Sequence, residues 1–108
     1  MTVNLYTFDG GVLGAAAAKQ GSDVPALTQR KIVAATLTNT TGAAIAATVY
    51  LAPSGGIGTS NVVISARTIS AGETYTCPEM INHSISPGGA VWALGNGLSF
   101  KYSATDIS

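Results

Sequence analysis

A chain of 108 residues has the size of one domain and can bury a core without a disulfide or a metal. Its five basic and five acidic residues cancel, and only Arg30 and Lys31 are adjacent, so the sequence offers no basic patch for nucleic acid or for an anionic membrane surface. Charged residues make up 9% of the chain against about 25% in ordinary globular proteins, which indicates a surface of small, uncharged side chains suited to packing against neighbouring subunits.

The N-terminal part of the chain begins with an alternating segment. Thr2 to Phe8 is either the first strand of the domain's own sheet or an extended arm that docks on a neighbour. We expect Val12 to Val24 to be a loop with at most one helical turn, because its alanines favour helix but form no long apolar face. The start has no basic segment of the signal-peptide type and no long apolar run, so we expect a chain made in a cytoplasm without a membrane span.

The middle of the chain predicts two strands joined by a turn. Gln29 to Thr40 alternates, and the two faces of this strand carry Val33, Ala35 and Leu37 on one side and Ile32, Ala34, Thr36 and Thr38 on the other. Thr41 to Ala44 turns the chain, as a hairpin or as a corner between two sheets. Ala46 to Leu51 returns as a strand, and a glycine-rich loop follows from Pro53 to Ser60.

The C-terminal half predicts further strands separated by turns. Asn61 to Ile69 and Thr74 to Cys77 are strands, and Pro78 to Asn82 is a single helical turn. Ala90 to Leu94 is apolar on both faces, which is typical of a buried central strand with Trp92 in the core.

The last two predicted strands are joined by the strongest hairpin signal of the sequence. Asn96 and Gly97 form the dipeptide that a type I′ turn prefers. The final strand is half-buried, and its inward side chains are Leu98, Phe100, Tyr102 and Ala104. Seven or eight short strands with turns between them predict an all-β fold. We expect residues 1–108 to form a single antiparallel β-sandwich, either jelly-roll or immunoglobulin-like.

No grouping of side chains in the sequence points to catalysis or to a cofactor. Cys77, Glu79 and the single histidine, His83, are close in sequence, but such local spacing rarely gives triad geometry. Two Cys and His residues are too few for a structural zinc site, and the isolated acidic residues do not form a calcium loop. The glycine-rich loop lacks the Gly-Lys-Ser/Thr ending of a phosphate loop. We therefore expect no enzyme, no metal and no cofactor.

Two segments are candidates for contact with other subunits. An N-terminal segment with three large apolar side chains is difficult to bury in a small sandwich, and a glycine-rich loop can become ordered when it meets a neighbour. The predicted contact residues are Leu5, Tyr6, Phe8, Gly55, Gly56 and Ile57.

Four segments follow one another in a recognisable order: Leu37 to Thr41, Val49 to Gly56, Ala71 to Tyr75 and Pro87-Gly88. This order of motifs resembles small virion proteins of tailed bacteriophages, and the resemblance covers roughly residues 30–105. It implies a structural component of the virion, found in the particle after synthesis in the host cytoplasm, with the major capsid protein or other virion proteins as partners. It implies no catalytic residue.

The resemblance does not say which part of the virion contains the chain. We expect a capsid decoration, or cement, protein that binds the assembled head and stabilises it, as a homo-oligomer, because a surface with few charges suits binding by shape and apolar burial. A tail, collar or fibre component is the alternative within the virion. A carbohydrate-binding β-sandwich is the alternative of another class, and it requires Tyr50, Tyr75 and Trp92 to point outward from a sheet.

Overall fold

The computed structural model describes residues 2–108, which form nine β-strands and one short helix. The helix is a 3-10 helix at Thr59–Asn61. The strands are β1 (Val3–Val12), β2 (Ala18–Gln20), β3 (Gln29–Thr38), β4 (Ile45–Ala52), β5 (Val62–Ile69), β6 (Thr74–Tyr75), β7 (Ser84–Ile85), β8 (Ala90–Leu94) and β9 (Ser99–Ile107). No helix among these residues is long and apolar enough to cross a bilayer.

The strands form two antiparallel sheets packed face to face, which confirms the all-β sandwich. Sheet A has the order β1-β9-β3-β6, with β7 also pairing with β3, and sheet B has the order β2-β8-β4-β5. The first strand therefore pairs with the last, the second with the last but one, β3 with both β7 and β6, and β4 with β5. This pattern is a long hairpin rolled into two layers, and it identifies the sandwich as a jelly-roll.

The core lies between the two sheets and is built by alternation along each strand. Leu98, Phe100, Tyr102 and Ala104 on and beside β9 are all buried, as the alternation of the final strand predicts. They face Val49 of β4 and Val91 of β8 from sheet B, which are buried as well. Burial of each such large apolar side chain contributes about 1.5–3 kcal/mol, which makes this interlayer contact a main source of stability.

A bulge in β3 corrects the predicted alternation of that strand. Ile32 pairs with Ala104 and Ala34 with Ser103, so Val33 is the extra residue between them. Ile32 is fully buried while Val33 is 51% exposed. On the C-terminal side of the bulge, Ala35 and Leu37 are buried in the core again. Val33 therefore does not share a face with Ala35 and Leu37. An extra residue shifts the period-2 pattern by one, which simple alternation does not reveal.

Two of the connections between the sheets are turns that the sequence predicts. The turn at 41–44 joins β3 of sheet A to β4 of sheet B, so it is an inter-sheet corner, one of the two predicted alternatives. The turn at Asn96-Gly97 closes tightly, with the Leu98 N–H donating to the Gly95 carbonyl at 2.9 Å. Its flanking strands β8 and β9 nevertheless belong to different sheets, so the predicted hairpin is wrong. An Asn-Gly pair specifies a tight turn but does not specify which strands pair.

The N-terminal quarter is more regular than the sequence indicates. Val3–Val12 forms β1 and pairs with β9. Ala18–Gln20, within the segment predicted as a loop, forms β2 and pairs with β8. Alanine is a strong helix former, but tertiary contacts override intrinsic propensity, and here the pairing with β8 outweighs it.

Candidate interaction surfaces

Strand β1 forms one edge of sheet A and exposes apolar side chains to solvent. Among residues 2–108 it pairs with β9 alone. Leu5 is 85% exposed and Val3 is 54% exposed, and both point away from the core. Isolated exposed apolar residues are common, but here two of them alternate along one unpaired strand.

The two aromatic residues of β1 point inward, unlike Leu5. Phe8 stacks on Tyr102, with ring centroids 5.3 Å apart, and Tyr6 lies 6.1 Å from the same ring. The Tyr6 hydroxyl accepts a hydrogen bond from the Ser22 N–H at 2.8 Å. Of the three β1 residues predicted to contact other subunits, the structure therefore leaves Leu5 accessible and packs Tyr6 and Phe8 against the core.

A buried ion pair fixes the position of this end of β1. The Arg30 guanidinium donates to both carboxylate oxygens of Asp106, at 2.7 and 2.9 Å, and to the Ser22 carbonyl at 2.9 Å. Its central carbon lies 3.5 Å from the centroid of the Tyr6 ring. Burial lowers the pKa of Arg30, but the hydrogen bonds and charge of Asp106 outweigh it and raise that pKa. The cluster joins β1, β3, β9 and the segment before β3 around one charge.

Leu27 is an exposed apolar residue that the sequence analysis missed. It is 89% exposed and has φ of +60°, a left-handed conformation that disfavours residues with a Cβ. It precedes β3, whose first residue, Gln29, pairs with Ile107. Val3 pairs with the same Ile107, so Leu27 lies at the end of sheet A where β1 begins. A single leucine between Pro25 and the start of a strand is the signal that marks it in the sequence.

The glycine-rich loop follows the C-terminal end of β4. Ile57 is 40% exposed, and no neighbouring atom lies within 4 Å of the place where a Cβ on Gly55 or Gly56 would be. The loop packs against Gly88 through Ser54, and Gly88 donates its N–H to the Val24 carbonyl at 2.8 Å. The loop therefore contacts the turn before β8, and that turn is hydrogen-bonded to the segment before β3, whereas Leu5 lies on β1 of sheet A.

The outer face of sheet B carries a row of aromatic and charged side chains. Trp92 of β8 lies opposite Tyr50 of β4 and opposite Lys19 of β2 in the strand register. The Lys19 ammonium lies 5.7 Å from the Trp92 ring and 2.7 Å from the carboxylate of Asp23. Val91 and Ala93, on either side of Trp92, are the residues that face the core. The expectation that Trp92 points inward is wrong, because a strand that is apolar on both faces gives no sign of its inner side.

Tyr75 does not join this row. It pairs with Leu37 on β3, and its ring is covered by the Arg67 guanidinium of β5, whose central carbon lies 4.0 Å from the ring centroid. The Tyr75 hydroxyl donates to Glu79 at 2.7 Å. Tyr75 thus closes the gap between the edges of the two sheets.

The residues near Cys77 are arranged for packing. Cys77 is fully buried, and burial together with the nearby charge of Glu79 raises the pKa of its thiol to about 12. Glu79 is held by Tyr75, and His83 is exposed. A thiol with this pKa is protonated at neutral pH and is a poor nucleophile. Across residues 2–108, no group of three or more His, Cys, Asp or Glu side chains is close enough to hold a metal ion.

Comparison with known proteins shows similarity at the level of the fold. No family model matches the sequence, and no curated protein sequence matches it either. A chain of the Bacillus endospore appendages, a family of disulfide-linked pili, superposes with a TM-score of 0.54 at 16% identity, covering 97% of this chain and 84% of that one. A chain of the infectious bursal disease virus Gx strain superposes with a TM-score of 0.52 at 17% identity. That match covers 98% of this chain, which spans about a third, 32%, of the viral chain.

Proposed function

We propose that this chain is a structural protein of a virus particle, and specifically a decoration protein of a bacteriophage head that binds the major capsid protein. The observation that carries the proposal is the exposure of Leu27, an apolar side chain two residues before β3 that is 89% exposed. The fold supports it, because jelly-roll domains recur in viral capsids and the viral chain described above has this fold.

The conformation of Leu27 strengthens this argument. A left-handed residue with a Cβ costs roughly 1–2 kcal/mol, and an exposed leucine regains none of that through burial in its own domain. Glycine or asparagine adopts the same conformation at lower cost. A leucine retained in this conformation indicates that its side chain contacts a partner, because backbone strain of this kind is retained at functional positions.

Decoration would act by mass action. A protein that binds the assembled shell but not its dissociated subunits stabilises the shell. Modest contacts repeated over many symmetric sites add up, so no single contact needs to be strong. A chain with 9% charged residues suits such contacts, because shape and apolar burial rather than ion pairs would provide the affinity.

The experiment that tests the proposal is a count of copies of this chain per purified virion, by quantitative mass spectrometry against the major capsid protein. A ratio of one to one, or a simple fraction of it, supports a decoration protein. A few copies per particle assigns the chain to the tail, the collar or a fibre. Absence from the virion rejects the proposal.

The role of Leu27 is tested by replacing it with glycine. We expect Leu27→Gly to raise the free energy of unfolding by up to about 1 kcal/mol, because strain is relieved and only part of the gain is lost to the more flexible unfolded chain. The same variant should bind isolated heads less tightly. The matched control is Asn82→Gly, which replaces another left-handed residue, with φ of +70°, in an exposed turn. Equal head binding by both variants would remove Leu27 from the contact.

A second candidate function is carbohydrate binding on the outer face of sheet B. It is favoured by Trp92 and Tyr50, which lie side by side on that face next to the Lys19–Asp23 ion pair. Sugar rings stack on aromatic side chains while charged groups bind their hydroxyls. Binding on a glycan array that is lost in Tyr50→Ala and Trp92→Ala, but kept in the edge variant Tyr75→Phe, would favour this function. An array without bound glycans would reject it.

A further inference from the structure

We infer that two copies of this chain pair through the free edges of their β1 strands, related by a two-fold axis at Leu5. The inference concerns the isolated chain and stands apart from the virion proposal. The two sheets have four edges. Exposed edges invite pairing with other strands, and proteins protect them with short strands, charges or bulges.

Three of the four edges are protected. The edge beside β3 consists of β6 and β7, which are two residues each and are separated by a turn. The edge strand β2 has three residues and carries Lys19. The edge strand β5 has register irregularities against β4, a left-handed residue at Ala66 with φ of +46°, and the charge of Arg67.

The fourth edge, β1, has none of these protections over its first half. The pairing with β9 is regular from Val3 to Phe8, and the first irregularity comes after Phe8. The segment contains no charged residue and no proline. Leu5, at its centre, is 85% exposed. An edge of this kind is expected to have a partner strand.

The register shows which backbone groups face the free edge. Thr2 and Ser108 exchange two hydrogen bonds of 2.9 Å, so they form a hydrogen-bonded pair. Such pairs alternate in antiparallel sheets, which directs the backbone groups of Asn4, Tyr6 and Phe8 towards β9. The N–H and C=O groups of Val3, Leu5 and Thr7 consequently point outward.

A second copy of the same strand satisfies these groups symmetrically. With Leu5 opposite Leu5 of the second copy, Val3 lies opposite Thr7, and the three outward residues of each strand form about six backbone hydrogen bonds across the axis. The exposed leucines meet on one face, and no charge lies opposite a like charge. Self-pairing of β5 would instead bring two copies of Arg67 into one sheet edge, which is the repulsion that β1 avoids.

The mass of the chain in solution tests this inference. We expect light scattering of the purified protein to give twice the mass of one chain. Leu5→Lys should reduce it to one chain, because two like charges then meet at the axis. The matched control, Leu27→Lys, places the same charge on an equally exposed leucine away from the edge and should stay dimeric. A monomeric wild type, or a Leu5→Lys protein that stays dimeric, overturns the inference.

Cross-linking tests the register independently of the lysine variants. Residues opposite each other in a hydrogen-bonded pair have Cα atoms about 5.5 Å apart, within disulfide range. Leu5→Cys should therefore form an inter-chain disulfide under mild oxidation. Asn4→Cys is the control, because diagonal neighbours lie about 7–8 Å apart, beyond that range. Equal cross-linking of the two variants overturns the two-fold axis at Leu5. The native Cys77 does not interfere, since it is fully buried.

Discussion

At the scale of single residues, Arg30 is a buried charge whose partners lie on different strands. Its guanidinium bonds to Asp106 and to the Ser22 carbonyl and stacks on Tyr6, with only 2% of the residue exposed. Burying a charge is costly, and it is tolerated when the charge is paired and its hydrogen bonds are made. Removal of one partner leaves the other charge buried without compensation, so the two members of the pair depend on each other.

We expect Asp106→Ala to lower the free energy of unfolding by about 3–5 kcal/mol, because Arg30 then stays buried without a carboxylate. Urea denaturation followed by tryptophan fluorescence measures this change. The control is Asp23→Ala, which removes the carboxylate of the exposed ion pair with Lys19, whose side chains are 41% and 54% accessible. That change should cost at most about 1 kcal/mol. Equal losses in the two variants would contradict the role given to Arg30.

At the scale of structural elements, the corner between β3 and β4 depends on one buried amide. The Asn39 side chain is fully buried and donates to the carbonyls of Ala43 and Ile69, at 2.7 and 2.9 Å. Its oxygen accepts from the N–H and hydroxyl of Thr41, at 3.0 and 2.6 Å. One side chain thus satisfies the backbone at the point where the chain passes from sheet A to sheet B.

Asn39→Ala should destabilise the protein by about 2–4 kcal/mol, since each buried polar group left without a partner costs about 1–3 kcal/mol. Thermal unfolding followed by circular dichroism provides the measurement. Asn96→Ala changes an exposed asparagine in the turn between β8 and β9 and should alter stability by less than about 0.5 kcal/mol. If Asn39→Ala lowered the stability no more than Asn96→Ala does, the corner would not depend on the Asn39 amide.

The strands were more predictable from sequence than their partners. The alternation of apolar and polar residues locates β9 and its buried side chains, because on a half-buried strand the polarity of each side chain indicates whether it faces the core or the solvent. The sequence does not reveal the bulge at Val33 or the outward position of Trp92, because both depend on which residues lie across the sheet. The Asn96-Gly97 turn shows the same limit, since its flanking strands pair with partners distant in sequence. Of the predicted contact residues, Leu5 and Ile57 are exposed, while Tyr6 and Phe8 pack against Tyr102 and are partly buried.

At the scale of the whole molecule, several protonated groups lie where the two layers meet. Burial raises the pKa of Cys77 to about 12, and burial together with the Glu79 hydrogen bond raises that of Tyr75 to about 12. Burial also raises the pKa of Tyr102. The ordinary values are 9.0 for the thiol and 10.0 for tyrosine, so the unfolded chain releases these protons at lower pH than the folded protein does.

Stability should therefore be insensitive to these groups below about pH 9 and should fall as the pH rises from about 9 to 12, because deprotonation then favours the unfolded chain. Urea midpoints measured across this range provide the test. In Cys77→Ala the decline should begin about one pH unit later, where tyrosine alone contributes. An unchanged pH dependence in that variant would show that the thiol contributes nothing to it.

The pairing of β1 with β9 also has a consequence for synthesis. β1 is synthesised well before β9, which occupies the place between β1 and β3 in sheet A. Until residues 99–107 emerge from the ribosome, neither β1 nor β3 has this partner, so sheet A cannot form. A ribosome stalled before Ser99 would therefore hold a chain without sheet A, in which the uncharged residues 3–8 of β1 are open to mispairing with other nascent chains.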